Sequence, residues 1–194
     1  MFEKVFGLPA HPLVVHAAVV LIPITVLTAI AYVLVPRLRP RLGWVLVLAS
    51  VGGGVASVFA AETGDRLAKH LGGTAAIDKH GGFGLDTRNM ALLMAVVSVV
   101  LVTVDHLRAR SVAGPPRPAA YPDNPMGYPD NEWTVVGGGQ SRAELRRANG
   151  SSGSTVLTVV SVVLMLALLA TAVGAAVSVA RAGDTGARLV WENI

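Results

Sequence analysis

The stretch that decides the fold is residues 8–16, LPAHPLVVH, which leads into a long uncharged segment. No Asp, Glu, Lys or Arg occurs among the 23 positions of residues 13–35. A run of about 18 or more apolar residues without charge is long enough to cross a bilayer as a helix. His11 and His16 therefore lie at the mouth of a predicted transmembrane helix, where polar groups are costly and are usually functional.

The composition of the whole chain favours a membrane protein. Of its 194 residues, 53% are hydrophobic and 14% are charged, whereas soluble domains carry about 25% charged residues. The net charge of +4 comes from basic residues that flank apolar runs, so they indicate membrane edges and not a nucleic-acid surface. The chain has no cysteine, which excludes disulfides, thiolate metal sites and cysteine nucleophiles.

Four apolar segments predict an all-α membrane protein, a bundle of four transmembrane helices. We expect them at about residues 12–35, 42–61, 75–108 and 155–180. A very short basic turn after the first helix predicts that helices 1 and 2 form an antiparallel hairpin. Small residues at every fourth position of helix 2 favour close helix packing; they are Ala49, Gly53, Ser57 and Ala61.

The connections are polar. Residues 62–88 are predicted to begin as a loop, with Gly64 ending helix 2 in the left-handed conformation and Thr74 capping helix 3. Residues 110–154 hold six prolines and two copies of Tyr-Pro-Asp-Asn, which predict an irregular cytoplasmic loop. The tail, residues 181–194, is expected to turn and to cover the histidines as a short strand or packing arm.

Arginines set the predicted orientation. Arg37, Arg39 and Arg41 follow helix 1, and Arg108 and Arg110 follow helix 3. Basic residues in short connections favour the cytoplasmic side, so both chain termini are expected outside. Four histidines then meet at the outer end of the bundle, and His106 lies at the inner end; the four are His11, His16, His70 and His80.

Two side chains carry further expectations. His16 lies seven residues before Pro23, on the same helix face, so its imidazole is expected to point into the bundle. Asp105 is expected to pair with Arg108, three residues later. The sequence shows no internal repeat, which disfavours a transporter.

Several of these motifs together resemble a bacterial membrane family catalogued as domain of unknown function 2231. The resemblance rests on residues 8–16, the Thr63-Gly64 step, His80 and the tail GDTGARLVW at residues 183–191. It covers nearly the whole chain except about residues 110–154. In that family the second histidine is often followed by Phe-Pro-Ile, whereas here Pro-Ile comes only at residues 23–24.

The resemblance implies a multi-pass protein of the bacterial cytoplasmic membrane. Some family members are fused to Rieske iron–sulfur or c-type cytochrome domains, which implies a respiratory electron-transfer context and respiratory membrane proteins as partners. No activity is established for the family.

The histidines suggest a b-type haem site, which needs two neutral imidazoles from different helices on opposite sides of the macrocycle. His16 and His80 are the predicted axial pair, and His11 and His70 form a second pair or support the first. Asp65 and Asp78 would accept hydrogen bonds from the ligating rings.

Two alternatives stay open. A Zn or Cu site would use His11, His16, His70 and His80 with carboxylates, although no His-Glu-x-x-His motif suggests hydrolysis. The other alternative is a structural or assembly subunit, alone or as a homo-oligomer in the bilayer, in which the histidines only satisfy hydrogen bonds. The sequence leaves open whether the protein is an enzyme and favours a non-enzymatic role.

Overall fold

The structure, a computed structural model, describes residues 4–5, 8–112 and 142–191. Four long helices make up most of these residues. The helices are α1 (Ala10–Leu34), α2 (Arg39–Leu71), α3 (Ala75–Val112) and α4 (Arg142–Trp191). All four are long and apolar enough to cross a membrane. The predicted fold class, a four-helix transmembrane bundle in a lipid bilayer, is therefore confirmed.

Short elements join the helices at their ends. A 3-10 turn, Pro36–Leu38, connects α1 to α2, so these helices form the expected antiparallel hairpin. Before α1, strands β1 (Lys4–Val5) and β2 (Leu8–Pro9) pair antiparallel. The predicted Pro-rich loop falls mostly on residues 113–141, which lie outside the described residues.

The helices pack as a ring in chain order. α1 packs on α2, α2 on α3 and α3 on α4, and α4 closes the ring on α1. α1 and α3 therefore lie diagonally across the bundle. Large residues fill its centre, and the outward faces carry exposed Leu and Val side chains that suit a lipid environment; the fully buried large residues are Ile22, Tyr32, Leu46, Met94, Leu101 and Leu168.

The end of α2 differs from the sequence prediction. Gly64 lies inside the helix, which continues to Leu71, and Gly72 forms the cap with a positive φ of 83°. Residues 62–71 continue the helix because they contain good helix formers such as Glu62, Ala68 and Lys69. The predicted cap at Thr74 is confirmed, since the Ile77 amide donates to Thr74 Oγ1 at 3.3 Å.

The tail prediction was wrong about conformation. α4 continues without interruption to Trp191, so residues 181–191 form neither a turn nor a strand. An ion pair at helical spacing joins Arg188 and Asp184, with Nε 3.1 Å from Oδ2. This segment packs on the histidine-bearing end as part of a helix.

The pattern of burial repeats between α1 and α3, although residue identities show no repeat. Buried residues of α1 recur in α3 at a constant spacing of 69 positions. The spacing is not visible in residue identities, because the buried residues differ chemically while their burial is the same. The pairs are Ala18 and Thr87, Ile22 and Ala91, Thr25 and Met94, Ala29 and Ser98, and Tyr32 and Leu101.

Candidate functional site

His11, in the first turn of α1, is partly buried against α2. Its Nδ1 lies 3.0 Å from the carbonyl oxygen of Ala60. Because a carbonyl can only accept, His11 Nδ1 carries the proton and donates it. The ring lies directly over Gly64, where an added Cβ would be 2.9 Å from Cε1 of His11. Gly64 is therefore the residue that lets this imidazole approach α2 closely.

His80, in α3, is held against α4 in the same way. Its Nδ1 lies 3.2 Å from Thr185 Oγ1. The Thr185 hydroxyl donates its own proton to the Arg181 carbonyl at 2.8 Å, so it accepts from His80 Nδ1–H. The ring lies over Gly186, where an added Cβ would be 3.1 Å from Cε1 of His80.

The two imidazoles meet inside the end of the bundle. Their ring centroids are 6.4 Å apart, and the ring planes are at 86°. Because both Nδ1 atoms carry the proton, both Nε2 atoms keep their lone pairs. Neither Nε2 has a hydrogen-bond partner in the part of the chain that the structure describes. The pair therefore offers two unprotonated nitrogens from helices that lie on opposite sides of the bundle.

The site lies at the border of the apolar segments. Gly64 is flanked by Glu62 and Asp65, and Gly186 lies two residues after Asp184. α2 has 33 residues and is about 50 Å long, whereas the hydrocarbon core of a bilayer is about 30 Å thick. The charged end of α2 therefore extends beyond the hydrocarbon, and the imidazole pair lies near the membrane surface.

The other histidines named from the sequence lie elsewhere. His16 is exposed, and its Nδ1–H donates to the Pro12 carbonyl of its own helix, so it does not point into the bundle as expected. His70 is exposed in the last turn of α2, and His106 is exposed at the opposite end of the bundle. The structure thus brings His80 together with His11.

The predicted carboxylate partners do not contact the imidazoles. Asp65 accepts from Lys69 at 2.6 Å in an exposed pair, and Asp78 is exposed in the first turn of α3. No group of three His, Asp or Glu side chains suited to a metal ion occurs within the described ranges. The groups that orient the rings are the Ala60 carbonyl and the Thr185 hydroxyl, together with Thr63 Oγ1 at 3.4 Å from His11.

A second polar cluster, at the opposite end of the bundle, was missed by sequence reasoning. Asp105 does not behave as a partner of Arg108 there. Its Oδ2 accepts from the Tyr32 hydroxyl at 2.9 Å, and its Oδ1 accepts from Ser161 Oγ at 2.8 Å. The guanidinium of Arg39 lies 5.7 Å from the Tyr32 ring centroid and donates to the Tyr32 carbonyl.

The Asp105 cluster, which consists of Tyr32, Arg39, Asp105 and Ser161, contains one residue from each of the four helices. Hydrogen bonds link these residues to one another. Tyr32 belongs to α1, Arg39 to α2, Asp105 to α3 and Ser161 to α4. One signal for it was present in the sequence, since Asp105 stands at the end of an uncharged run, but nothing there identified Ser161.

The Thr-Gly step was the better signal for the imidazole site. It occurs at Thr63-Gly64 and again at Thr185-Gly186, and in the structure each copy receives one histidine ring. Comparison of the chain with family models, with curated proteins and with solved structures finds no match.

Proposed function

We propose that this chain is an electron-transfer subunit of the bacterial cytoplasmic membrane in which His11 and His80 bind the iron of a b-type haem. The observation that carries the proposal is the pair of neighbouring imidazoles, each with Nδ1 engaged and with no described hydrogen-bond partner at Nε2. Haem supplies one-electron exchange when it is bound, and the residues of this chain hold the iron and orient its ligands.

The hydrogen bonds of the two rings favour metal ligation. A ligating histidine normally donates its other N–H to a carbonyl, carboxylate or similar acceptor, which fixes the tautomer and the ring orientation. His11 donates to the Ala60 carbonyl and His80 to the Thr185 hydroxyl. The protein therefore holds both rings in the tautomer that presents Nε2 as the ligand.

The separation of the rings would allow both to ligate one metal ion. With metal–nitrogen distances of about 2.0–2.1 Å, two such imidazoles have ring centroids roughly 6 Å apart. The centroids of His11 and His80 are 6.4 Å apart. Cofactor and metal sites in helical bundles are built from side chains on facing helices.

The number of protein donors favours haem over zinc or copper. A structural zinc site uses four protein ligands and a catalytic site three, whereas a six-coordinate haem iron takes two. Two imidazoles lie next to each other here, and the described residues supply no third His, Asp or Glu to them.

The respiratory context comes from the resemblance to the family of unknown function 2231. On that reading both termini and the imidazole pair lie on the outer side of the membrane, and the partner is another respiratory membrane protein. Arg37 and Arg41 near the α1–α2 turn support the orientation, because basic residues favour the cytoplasmic side.

The test is an absorption spectrum of the full-length protein, purified from cells supplied with a haem precursor, before and after reduction with dithionite. We expect a reduced α-band at one haem per chain. The band should be lost in His11→Ala and in His80→Ala and retained in His16→Ala and His70→Ala. The last two variants are matched controls, because their imidazoles are exposed at the same end of the bundle.

Other outcomes overturn the proposal. A colourless protein that contains stoichiometric zinc or copper would instead establish the metal-site alternative. An α-band that survives in His80→Ala would show that haem is bound elsewhere.

A structural role is the second candidate, and one observation favours it. Each imidazole hydrogen bond joins the two helices of one hairpin, His11 joining α1 to α2 and His80 joining α3 to α4. Such bonds stabilise a bundle without any ligand. A purified protein that is colourless and metal-free, and is destabilised by His11→Ala and His80→Ala, would support this role.

A further inference from the structure

The repeat seen in α1 and α3 extends to the other two helices. Buried residues of α2 recur in α4 at a constant spacing of 122 positions. The larger spacing reflects the long connection between α3 and α4. The pairs are Gly43 and Met165, Leu46 and Leu168, Ala49 and Thr171, Ser50 and Ala172, and Gly53 and Ala175.

Contacts between helices recur at the same two spacings. An added Cβ at Gly52 would lie 3.4 Å from Leu21, and the corresponding atom at Gly174 would lie 2.9 Å from Met90. Met90 follows Leu21 by 69 positions, and Gly174 follows Gly52 by 122. The α1–α2 hairpin and the α3–α4 hairpin thus share burial and helix contacts.

The imidazole site obeys the same spacings. His80 follows His11 by 69 positions, and the step Thr185-Gly186 follows Thr63-Gly64 by 122. In each hairpin the histidine of the first helix packs on the Thr-Gly step of the second.

The residue types of the site are the same in both hairpins, whereas the residue types at other buried polar positions differ. Thr25, Ser50 and Ser57 are buried in the first hairpin. Their counterparts in the second hairpin are Met94, Ala172 and Val179. A role in packing alone preserves burial but not residue type, whereas the site retains histidine, threonine and glycine in both hairpins.

We infer that the described helices are two copies of one helical hairpin, residues 10–71 and residues 75–112 with 142–191, and that they build one composite binding site. Each copy contributes one half-site, which is a histidine packed on a Thr-Gly step. The half-sites are His11 with Thr63-Gly64 and His80 with Thr185-Gly186. Together the half-sites would hold one metal ion through Nε2 of His11 and Nε2 of His80, either the iron of haem or an ion whose other ligands are not side chains of the described residues. The identity of the ligand as haem rests on the proposed function, but the composite site does not.

The inference predicts that the two half-sites are equally necessary. One ion held by two opposed nitrogens loses its chelation when either nitrogen is removed. The two single variants should therefore weaken binding to a similar extent, by more than about 100-fold, which exceeds the effect of changing an outer hydrogen-bond partner. The double variant should bind little more weakly than either single variant.

Asparagine variants separate ligation from folding. The side-chain amide of Asn can replace the Nδ1–H donor but provides no Nε2. His11→Asn and His80→Asn therefore retain a donor toward Ala60 and Thr185. Matched controls are His16→Asn and His70→Asn, and the thermal stability of each variant is measured alongside binding.

The experiment titrates the full chain in detergent with haemin and, separately, with Zn²⁺ alone, and measures stoichiometry and affinity. We expect one ligand per chain and equal losses in His11→Asn and His80→Asn. If Zn²⁺ gives this pattern and haemin does not bind, the proposed function fails and the composite site stands.

Two results would overturn the composite site. If haemin binds but His11→Asn leaves its affinity unchanged, the composite site fails, and so does the assignment of His11 as a haem ligand under the proposed function. If neither haemin nor Zn²⁺ binds to a folded wild-type chain, both proposals fail.

Discussion

The hydroxyl of Tyr32 donates a hydrogen bond of 2.9 Å to Asp105 Oδ2, which joins α1 to α3 across the bundle. Ser161 completes the arrangement by donating to the other carboxylate oxygen. This carboxylate is satisfied by neutral donors from two other helices, at the end of the bundle that lacks the imidazole pair.

We expect Asp105→Ala to destabilise the folded protein by about 1–3 kcal/mol, because it leaves two buried hydroxyls without an acceptor. Tyr32→Phe removes a single donor and should cost about 0.5–1.5 kcal/mol. The measurement is reversible unfolding in mixed micelles. Thr28→Val is the control, since that exposed hydroxyl bonds only its own helix, and a control effect equal to that of Asp105→Ala would contradict the prediction.

Alanine substitutions should lower thermal stability at the two glycines that contact the imidazoles but not at glycines inside the helices that have open space around them. Gly64→Ala and Gly186→Ala place a Cβ 2.9 Å and 3.1 Å from the rings of His11 and His80, so both should displace the rings and lower thermal stability. Gly81→Ala is the matched control, because the helix has open space there and alanine is favoured over glycine by about 0.5–1 kcal/mol. If Gly64→Ala instead raised thermal stability, the His11 ring would not lie against Gly64.

Equivalent core positions should respond equally. Leu46 and Leu168 are both 0% exposed, and truncation of either to alanine should cost about 2–5 kcal/mol. Leu48→Ala is the control, because Leu48 is 63% exposed and faces the surrounding lipid. The free energies of unfolding of Leu46→Ala and Leu168→Ala should be similar. If they differ from each other by more than they differ from that of Leu48→Ala, the two hairpins are not equivalent.

The cap of α2 should tolerate only glycine well. Gly72 has a φ of 83°, a left-handed conformation that costs a residue with a Cβ about 1–2 kcal/mol. Gly72→Ala should therefore lower the free energy of unfolding by about this amount, whereas Gly82→Ala, inside α3 with open space around it, should not. Equal effects in the two variants would contradict the assigned cap.

The fold could be predicted from the sequence because long uncharged runs have few stable alternatives in a bilayer. The same reasoning misplaced the ends of the helices. Gly64 was interpreted as the end of helix 2, and residues 181–194 were expected to turn. Gly64 and Gly186 both lie inside helices instead, where the missing Cβ makes room for an imidazole. Residue type alone does not distinguish a glycine that ends a helix from one that accommodates a neighbour.

The candidate site could be predicted only in part. Register along the helices places four histidines at one end of the bundle, but the choice between His11 and His16 depends on which helix face is buried. α1 is apolar all round, so its sequence does not mark the buried face. His16 is exposed and His11 is not, and the difference follows from the packing of α1 on α2.

The correspondence between the two half-sites has a consequence for ancestry. A single hairpin of this kind, paired with a second copy of itself, would complete the site with two identical histidines from two identical chains. Fusion of such copies removes the need for assembly, and it frees the opposite end of each copy to diverge. Asp105 and Ser161 have Pro36 and Arg39 as their counterparts in the first hairpin. Once the copies are fused, such differences between them can arise without loss of the shared site.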